Sequence, residues 1–169
     1  IRTIIAPGQD NKTYVHRFHY DTWNRIDTLI YPNKDTLLYK YDLGGNLNFM
    51  KAGVQVYIDS IGYDEFEQKV FCKYGNSTSQ TYTYSPTLRR LSNLVSKDHS
   101  GTSMYNLSYT FDKIGNVDSI HNSAGIINEM GGSYYHKYTY DNFNRISTAH
   151  GSWTGDTSNT LGNKASNYT

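Results

Sequence analysis

The chain has 169 residues, enough for one domain on the usual prior of about 150 residues per domain. Its 16 Lys and Arg nearly balance its 15 Asp and Glu, so the net charge is only +1. Such a balance provides no long-range field for a polyanion or an anionic membrane, and nucleic acid is disfavoured as a partner. The 17 tyrosines favour β-strands, in which a ring is buried while its hydroxyl stays available for hydrogen bonding.

The single cysteine, Cys72, has no partner for an internal disulfide or a cysteine-type metal site. We expect it to be a small apolar strand residue. The sequence starts at Ile1 without a signal-peptide pattern, and no stretch approaches the ~20 apolar residues of a membrane helix. These features are typical of a piece of a longer protein.

In chain order, a strand over Thr3 to Ala6 is followed by strand-like segments from Ile26 to Tyr31 and from Thr36 to Asp42, around the turn signal Pro32-Asn33-Lys34-Asp35. An aromatic residue followed by Asp or Ser recurs six times, at steps of 21, 22, 21, 27 and 29 residues. The six pairs are Tyr20-Asp21, Tyr41-Asp42, Tyr63-Asp64, Tyr84-Ser85, Phe111-Asp112 and Tyr140-Asp141.

Four of these motifs share a turn signature. Asp at the first position of a type I turn can accept a backbone N–H two residues on, and Gly or Asn at the fourth position tolerates positive φ. The four residues at that fourth position are Asn24, Gly45, Gly115 and Asn144. A type I turn followed by a left-handed residue makes a three-residue hairpin loop with a bulge, so each motif predicts strand, turn, strand.

Two motifs depart from the signature. Their fourth turn positions are Glu67 and Leu88, which adopt positive φ poorly, and the next aliphatic residue comes one place later. The sequence therefore predicts a longer or differently closed loop in both, although Pro86 still suits the second position of a type I turn.

No segment has a helical pattern, and a lone hairpin is marginal in water, so neighbouring units must pair edge to edge. The predicted fold is all-β, with repeated antiparallel hairpins in a curved or spiralling sheet. Residues 1–150 form the repeat region. Residues 151–169 form a polar tail, predicted to be a loop, a frayed strand or an incomplete further unit.

The text Tyr-Asp-x-x-Asn-Arg-Ile, with relatives such as Phe-Asp-x-x-Gly-Asn-Val, resembles the YD-repeat or RHS-repeat family. The resemblance runs from Tyr20 to Ile146. It implies a fragment of a shell that encloses the toxic C-terminal domain of a large bacterial secreted or cell-surface protein. The implied partners are the remaining repeats and that enclosed domain. No Asp-Pro occurs, so the family's self-cleavage is assigned to no residue here.

No catalytic residue, cofactor or metal site is predicted, because no nucleophile elbow or phosphate-binding loop is present. His16 and His19, three apart, would lie on opposite faces of a strand. A carbohydrate-binding module is the alternative function, with Trp23 and Trp153 as stacking platforms for sugars. Free sheet edges also predict self-association.

Overall fold

The computed structural model describes residues 2–5, 13–127 and 130–154, and every regular element in these ranges is a β-strand. The prediction of an all-β fold built from antiparallel hairpins is confirmed. The chain forms two compact units, residues 1–77 and 78–169. In the ranges that the structure describes, no helix has the length and apolar character needed to cross a membrane.

The first unit contains seven strands, each antiparallel to the next in chain order. They are β1 (Arg2–Ile5), β2 (Thr13–Tyr20), β3 (Ile26–Ile30), β4 (Thr36–Tyr41), β5 (Leu47–Ala52), β6 (Gln55–Tyr63) and β7 (Lys69–Tyr74). The turn predicted over Pro32 to Asp35 is present: the Tyr31 N–H donates to the Asp35 carbonyl at 2.8 Å, and Lys34 has φ 73.

The second unit contains eight strands: β8 (Ser79–Tyr84), β9 (Leu91–Lys97), β10 (Ser103–Phe111), β11 (Val117–Asn122), β12 (Ile126–Ile127), β13 (Met130–Gly131), β14 (Ser133–Tyr140) and β15 (Ile146–Thr154). Six of them form a sheet in the order β8, β9, β10, β11, β14, β15. The short pair β12 and β13 lies outside this order and forms its own two-stranded ribbon. This insertion accounts for the long 29-residue step before the last motif.

Side chains alternate between a half-buried and an exposed face, as strand geometry requires. In β14, Tyr134, His136, Tyr138 and Tyr140 are half-buried. The intervening Tyr135, Lys137 and Thr139 are exposed. The repeated tyrosines two residues apart therefore share one face.

Complete burial is rare in the described ranges. The buried apolar residues are Ile61, Cys72 and Ala124, and the buried polar residues are Ser96, Ser119 and Asn122. Cys72 lies in β7 opposite Ile61, with 2% of its surface exposed, so it packs as a small apolar residue. Each strand relies chiefly on its sheet neighbours, because few described side chains are buried and the contacts between elements join adjacent strands.

The residues predicted as the polar tail begin inside a strand. Gly151 to Thr154 are the last part of β15, where they pair with Ser133 to His136 of β14. Residues 155–169 lie outside the described ranges, as does Ala6 at the end of the predicted first strand.

Gly75 provides a test of close backbone packing. A Cβ at this position would lie 1.8 Å from the carbonyl oxygen of Val56, an atom of the backbone that cannot rotate away. We expect Gly75→Ala to lower the free energy of unfolding by about 1–3 kcal/mol or more, measured by urea denaturation. Gly125→Ala is the matched control, because a Cβ at Gly125 meets no atom within 4 Å. Equal stability of the two variants would contradict the packing.

Candidate functional site: the seam between repeats

The motif turns share one backbone geometry in the five units that contain Asp. The Asp N–H donates to the carbonyl four residues on at 2.9 to 3.0 Å, and the Asp carbonyl accepts the N–H three residues on. The Asp Oδ1 atom also accepts the backbone N–H four residues on. These carboxylates therefore act as turn acceptors, at Asp21, Asp42, Asp64, Asp112 and Asp141.

The fourth turn position has positive φ in all five of these units. The values are 60° at Asn24, 93° at Gly45, 60° at Glu67, 106° at Gly115 and 60° at Asn144. The prediction of a different closure at Glu67 is wrong, because Asp64 holds the turn strongly enough to place a glutamate in the left-handed region. The Ser85 loop is longer by one residue: Ser85 N–H donates to the Arg90 carbonyl, and Arg89, not Leu88, has φ 56.

The sequence pattern missed one turn of the same kind. Asp98 donates its N–H to the Thr102 carbonyl at 2.9 Å, its Oδ1 accepts the Ser100 and Thr102 N–H groups, and Gly101 has φ 88. Lys97, not an aromatic residue, precedes Asp98, so this turn lacks the aromatic-Asp pair of the other motifs. Asp three residues before Gly is the signal that could have found it.

A register shift marks the strand entry to every motif turn. The aromatic residue before each turn faces the first residue after it, in pairs such as Tyr20 with Ile26, Tyr41 with Leu47, Tyr63 with Lys69 and Tyr84 with Leu91. Phe111 with Val117 and Tyr140 with Ile146 complete the set. These shifts are the bulges that the turn signature predicts.

The motif tyrosines connect one repeat to the preceding one. Three hydroxyls donate to backbone carbonyls: Tyr41 to Ile26 at 2.7 Å, Tyr63 to Leu47 at 2.9 Å and Tyr140 to Val117 at 2.8 Å. Each acceptor is the fifth residue after the Asp of the preceding motif. We call these three hydroxyl–carbonyl pairs the seam. The period of the sequence located the tyrosines but did not indicate these acceptors.

The side chain of Arg25 lies over the ring of Tyr41, whose hydroxyl forms one of the seam bonds. Its guanidinium lies 4.3 Å from the ring centroid of Tyr41 and 5.4 Å from that of Trp23, and it forms an ion pair with Asp21 at 2.7 Å. One aromatic face of Trp23 is thus in contact with a cation, although 71% of the side chain is exposed. Trp153 is half-buried in β15, paired with Tyr134.

Hydrogen bonds at the turns hold the pKa of several carboxyl groups below the ordinary value of 3.8. The Arg25 backbone N–H has the largest effect on the pKa of Asp21, and the Arg145 backbone N–H has the largest on that of Asp141. For Asp112, burial is the largest effect and raises the pKa, but hydrogen bonds from Asn116, Gly115 and Ile114 together outweigh it. These groups are ionised at neutral pH and suit turn formation, not proton donation. Across the described residues, no three His, Cys, Asp or Glu side chains are grouped to hold a metal ion.

The seam bonds predict paired effects at two aromatic positions. Phe111 lies three residues after Ser108, and Leu91 lies two residues before Asn93, the partner of Ser108 in the ladder. Tyr41 and Ile26 have the same relation to the paired residues Leu38 and Thr28. Residue 111 is therefore placed relative to Leu91 as Tyr41 is relative to Ile26. Tyr140→Phe should therefore lower the free energy of unfolding by about 0.5–1.5 kcal/mol, and Phe111→Tyr should raise it by a similar amount. Denaturant titration of both variants measures this. Opposite signs support the seam; a loss of stability in both contradicts it.

The lowered carboxyl pKa values predict acid lability. A group whose pKa is lower in the folded state contributes stability above its unfolded pKa, and this contribution is lost as the pH falls through its folded pKa. We expect the melting temperature to fall as the pH drops below about 4. Asp112→Asn should flatten this dependence. An unchanged pH profile in the variant would contradict the role of the carboxylate.

No family model matches the chain, and no curated protein matches it. Solved structures do. The crystal structure of TcdB2-TccC3-Cdc42 matches with a TM-score of 0.78 and 26% identity, over 84% of this chain and 7% of that chain. The crystal structure of TcdB2-TccC3 matches with a TM-score of 0.78 and 23% identity, over 88% of this chain and 8% of that chain. The Photorhabdus luminescens Tc holotoxin pore matches with a TM-score of 0.66 and 20% identity, over 83% of this chain and 9% of that chain.

This chain thus spans less than a tenth of the length of the proteins that it resembles. Two of these structures contain TcdB2-TccC3, and the third is the pore of a Tc holotoxin. The motif text, the repeated hairpin geometry and these structural neighbours together confirm the resemblance to the YD/RHS-repeat family.

Proposed function

We propose that this chain is a structural β-repeat scaffold, part of a shell that encloses or presents a toxin or effector domain of a large secreted or cell-surface protein. The observation that carries the proposal is the seam, which joins one repeat to the next through tyrosine hydroxyls at Tyr41, Tyr63 and Tyr140. The likeness to Tc toxin structures supports this role.

The chemistry of the motif residues supports a non-enzymatic role. The carboxylates of Asp21 and Asp141 each accept backbone N–H groups and form an ion pair with the arginine four residues on. A carboxylate saturated in this way is a poor general base, because its lone pairs are already engaged. The repeated residues thus serve the turns and the seam.

Carbohydrate binding is the second candidate, and the exposure of Trp23 favours it. Tyr14 and Tyr31 also line a shallow hollow with Asn33 and Asp35, a combination of rings and hydrogen-bonding groups that suits a sugar. A saccharide hit on a glycan array that disappears in Trp23→Ala would favour this function over the scaffold.

For the scaffold, we expect the purified chain to show no nuclease, protease or glycosidase activity and no toxicity when expressed in bacteria. Gly75→Ala, which disrupts close packing, is the control that separates an activity of the folded chain from contamination. An activity present in the wild type and lost in Gly75→Ala would overturn the scaffold role. An activity that persists equally in the variant would belong to a contaminant and leave the proposal intact.

As part of a shell in a longer polypeptide, this chain must keep proteases away from the domain that the shell encloses. We expect the combined variant Tyr41→Phe, Tyr63→Phe, Tyr140→Phe to increase the rate at which protease cleaves the enclosed domain, because it weakens three links between repeats. If the enclosed domain were cleaved no faster in a folded triple variant, the proposed role as part of a shell would be contradicted.

A further inference from the structure

At three motif turns, the residue that ends the turn contacts the turn of the next repeat. Arg25 ends the first motif turn, and its guanidinium covers Tyr41 of the second motif. A Cβ added to Gly45, at the fourth position of that second turn, would lie 3.4 Å from Nη1 of Arg25, at the near limit of ordinary van der Waals contact, so that a longer side chain would press on the guanidinium. The φ of Gly45 is 93°, wider than the 60° of the Asn and Glu residues at equivalent positions.

Arg90 and Gly115 repeat this arrangement in the second unit. The Arg90 guanidinium lies 5.4 Å from the centroid of Phe111, and its Nη1 atom lies 3.5 Å from the Asp112 carbonyl oxygen. A Cβ at Gly115 would lie 2.7 Å from Nη2 of Arg90, so any side chain there would displace the guanidinium. The φ of Gly115 is 106°. In both cases, arginine occupies space above a glycine.

Asparagine at the same position gives a different neighbour. Asn116 ends its turn, and its Nδ2 atom donates to Oδ1 of Asn144 in the next motif at 3.2 Å. Asn144 has φ 60, a value that residues with a Cβ adopt in the left-handed region. The asparagine side chain is shorter than that of arginine, so it leaves space for a side chain at the fourth position of the next turn. The second motif turn likewise ends in an asparagine, Asn46. The fourth position of the next turn is Glu67, which also has φ 60.

We propose that an arginine or asparagine at the end of a motif turn selects the repeat that pairs beside it: arginine selects glycine at the fourth turn position, and asparagine admits a residue with a side chain. This selection rests on the proposed scaffold function and adds a rule for the order of the repeats.

The same rule assigns a docking site to β15. Arg145 ends the last motif turn and stacks on Phe143 at 5.3 Å, with its guanidinium paired to Asp141. Its side chain is 75% exposed, against 27% for Arg25, which Tyr41 covers. Ile146, which stands at the position of the seam acceptors Ile26, Leu47 and Val117, is 61% exposed. Among the described residues, β15 pairs only with β14.

The partner that fits this edge is a further repeat of the same kind, with an aromatic residue, Asp and a glycine three residues after the Asp. Its strand would extend the sheet, its aromatic ring would cover Arg145, and a tyrosine hydroxyl would reach the Ile146 carbonyl as at the other seams. Backbone pairing would supply affinity, and the ring and the glycine would supply selectivity.

A double-mutant cycle in the full chain tests the selection rule. Gly45→Asn should raise the equilibrium constant for unfolding in the presence of Arg25, and the rise should be smaller by roughly tenfold in the Arg25→Asn background. Gly115→Asn with Arg90→Asn repeats the cycle in the second unit. Additive effects in both cycles would overturn the rule. An enzymatic activity of the chain would overturn the scaffold without affecting this coupling, so the two failures are distinguishable.

A peptide with the sequence of residues 36–52, which contains Tyr41, Asp42 and Gly45, tests the docking site on the full chain. We expect fluorescence anisotropy to show binding, and the dissociation constant to rise at least about tenfold for Arg145→Asn or for the peptide carrying Gly45→Asn. Arg25→Asn is the control. A peptide that displaced residues 36–52 of the chain would bind beside Arg25, and its binding would then depend on Arg25. The absence of binding, or a dependence on Arg25 and not on Arg145, would overturn the docking site.

Discussion

A sheet with few buried side chains must obtain its stability mainly from the contacts between adjacent strands, and this constraint explains most of the described structure. Few described side chains are fully buried, so burial in a central core contributes little to holding the described repeats together. Backbone ladders join neighbouring strands, but at each motif turn the ladder ends in a bulge. The tyrosine hydroxyls at the seam add a hydrogen bond between repeats at that point. Tyrosine suits this task because its ring packs against the sheet while its hydroxyl reaches across it.

Stability drawn from nearest neighbours also makes the repeat tolerant of insertions. The ribbon of β12 and β13 lengthens one repeat, yet β11 still pairs with β14 in register, with Ser119 opposite Lys137. Asn122 closes the base of the insertion: its Oδ1 accepts the N–H groups of Asn106 and Ala124, and its Nδ2 donates to the Gly132 carbonyl. A fully buried amide whose oxygen and nitrogen both form hydrogen bonds can thus separate an insertion from the sheet at a small energetic cost. The unequal steps between motifs in the sequence reflect this tolerance of insertions.

The turns could be predicted from the sequence because their cause is local, whereas the links between repeats could not. An Asp carboxylate that accepts N–H groups two and four residues on leaves its signature within five residues, and the strands follow from it. The prediction for Glu67 is wrong because the hydrogen bonds that Asp64 accepts fix the turn more strongly than the low left-handed propensity of glutamate opposes it. The acceptors of the tyrosine hydroxyls depend on the register between strands 15 to 23 residues apart. The recurrence of an aliphatic residue five places after Asp was visible, but its carbonyl has no signal in the sequence.

Near-identical hairpins in series face the hazard of pairing with the wrong neighbour or in the wrong register, because one hairpin offers much the same edge as another. Contacts that differ from seam to seam reduce this hazard. Arg25 above Gly45 and Asn116 bonded to Asn144 are not interchangeable: a Cβ at Gly115 would lie 2.7 Å from the Arg90 guanidinium, and we expect the same conflict for an arginine placed against Asn144. An asparagine placed against Gly45 would leave Tyr41 without its cation. The tyrosine hydroxyls supply the common attraction between repeats, and the turn-ending residues supply the differences, so cohesion and order come from separate side chains.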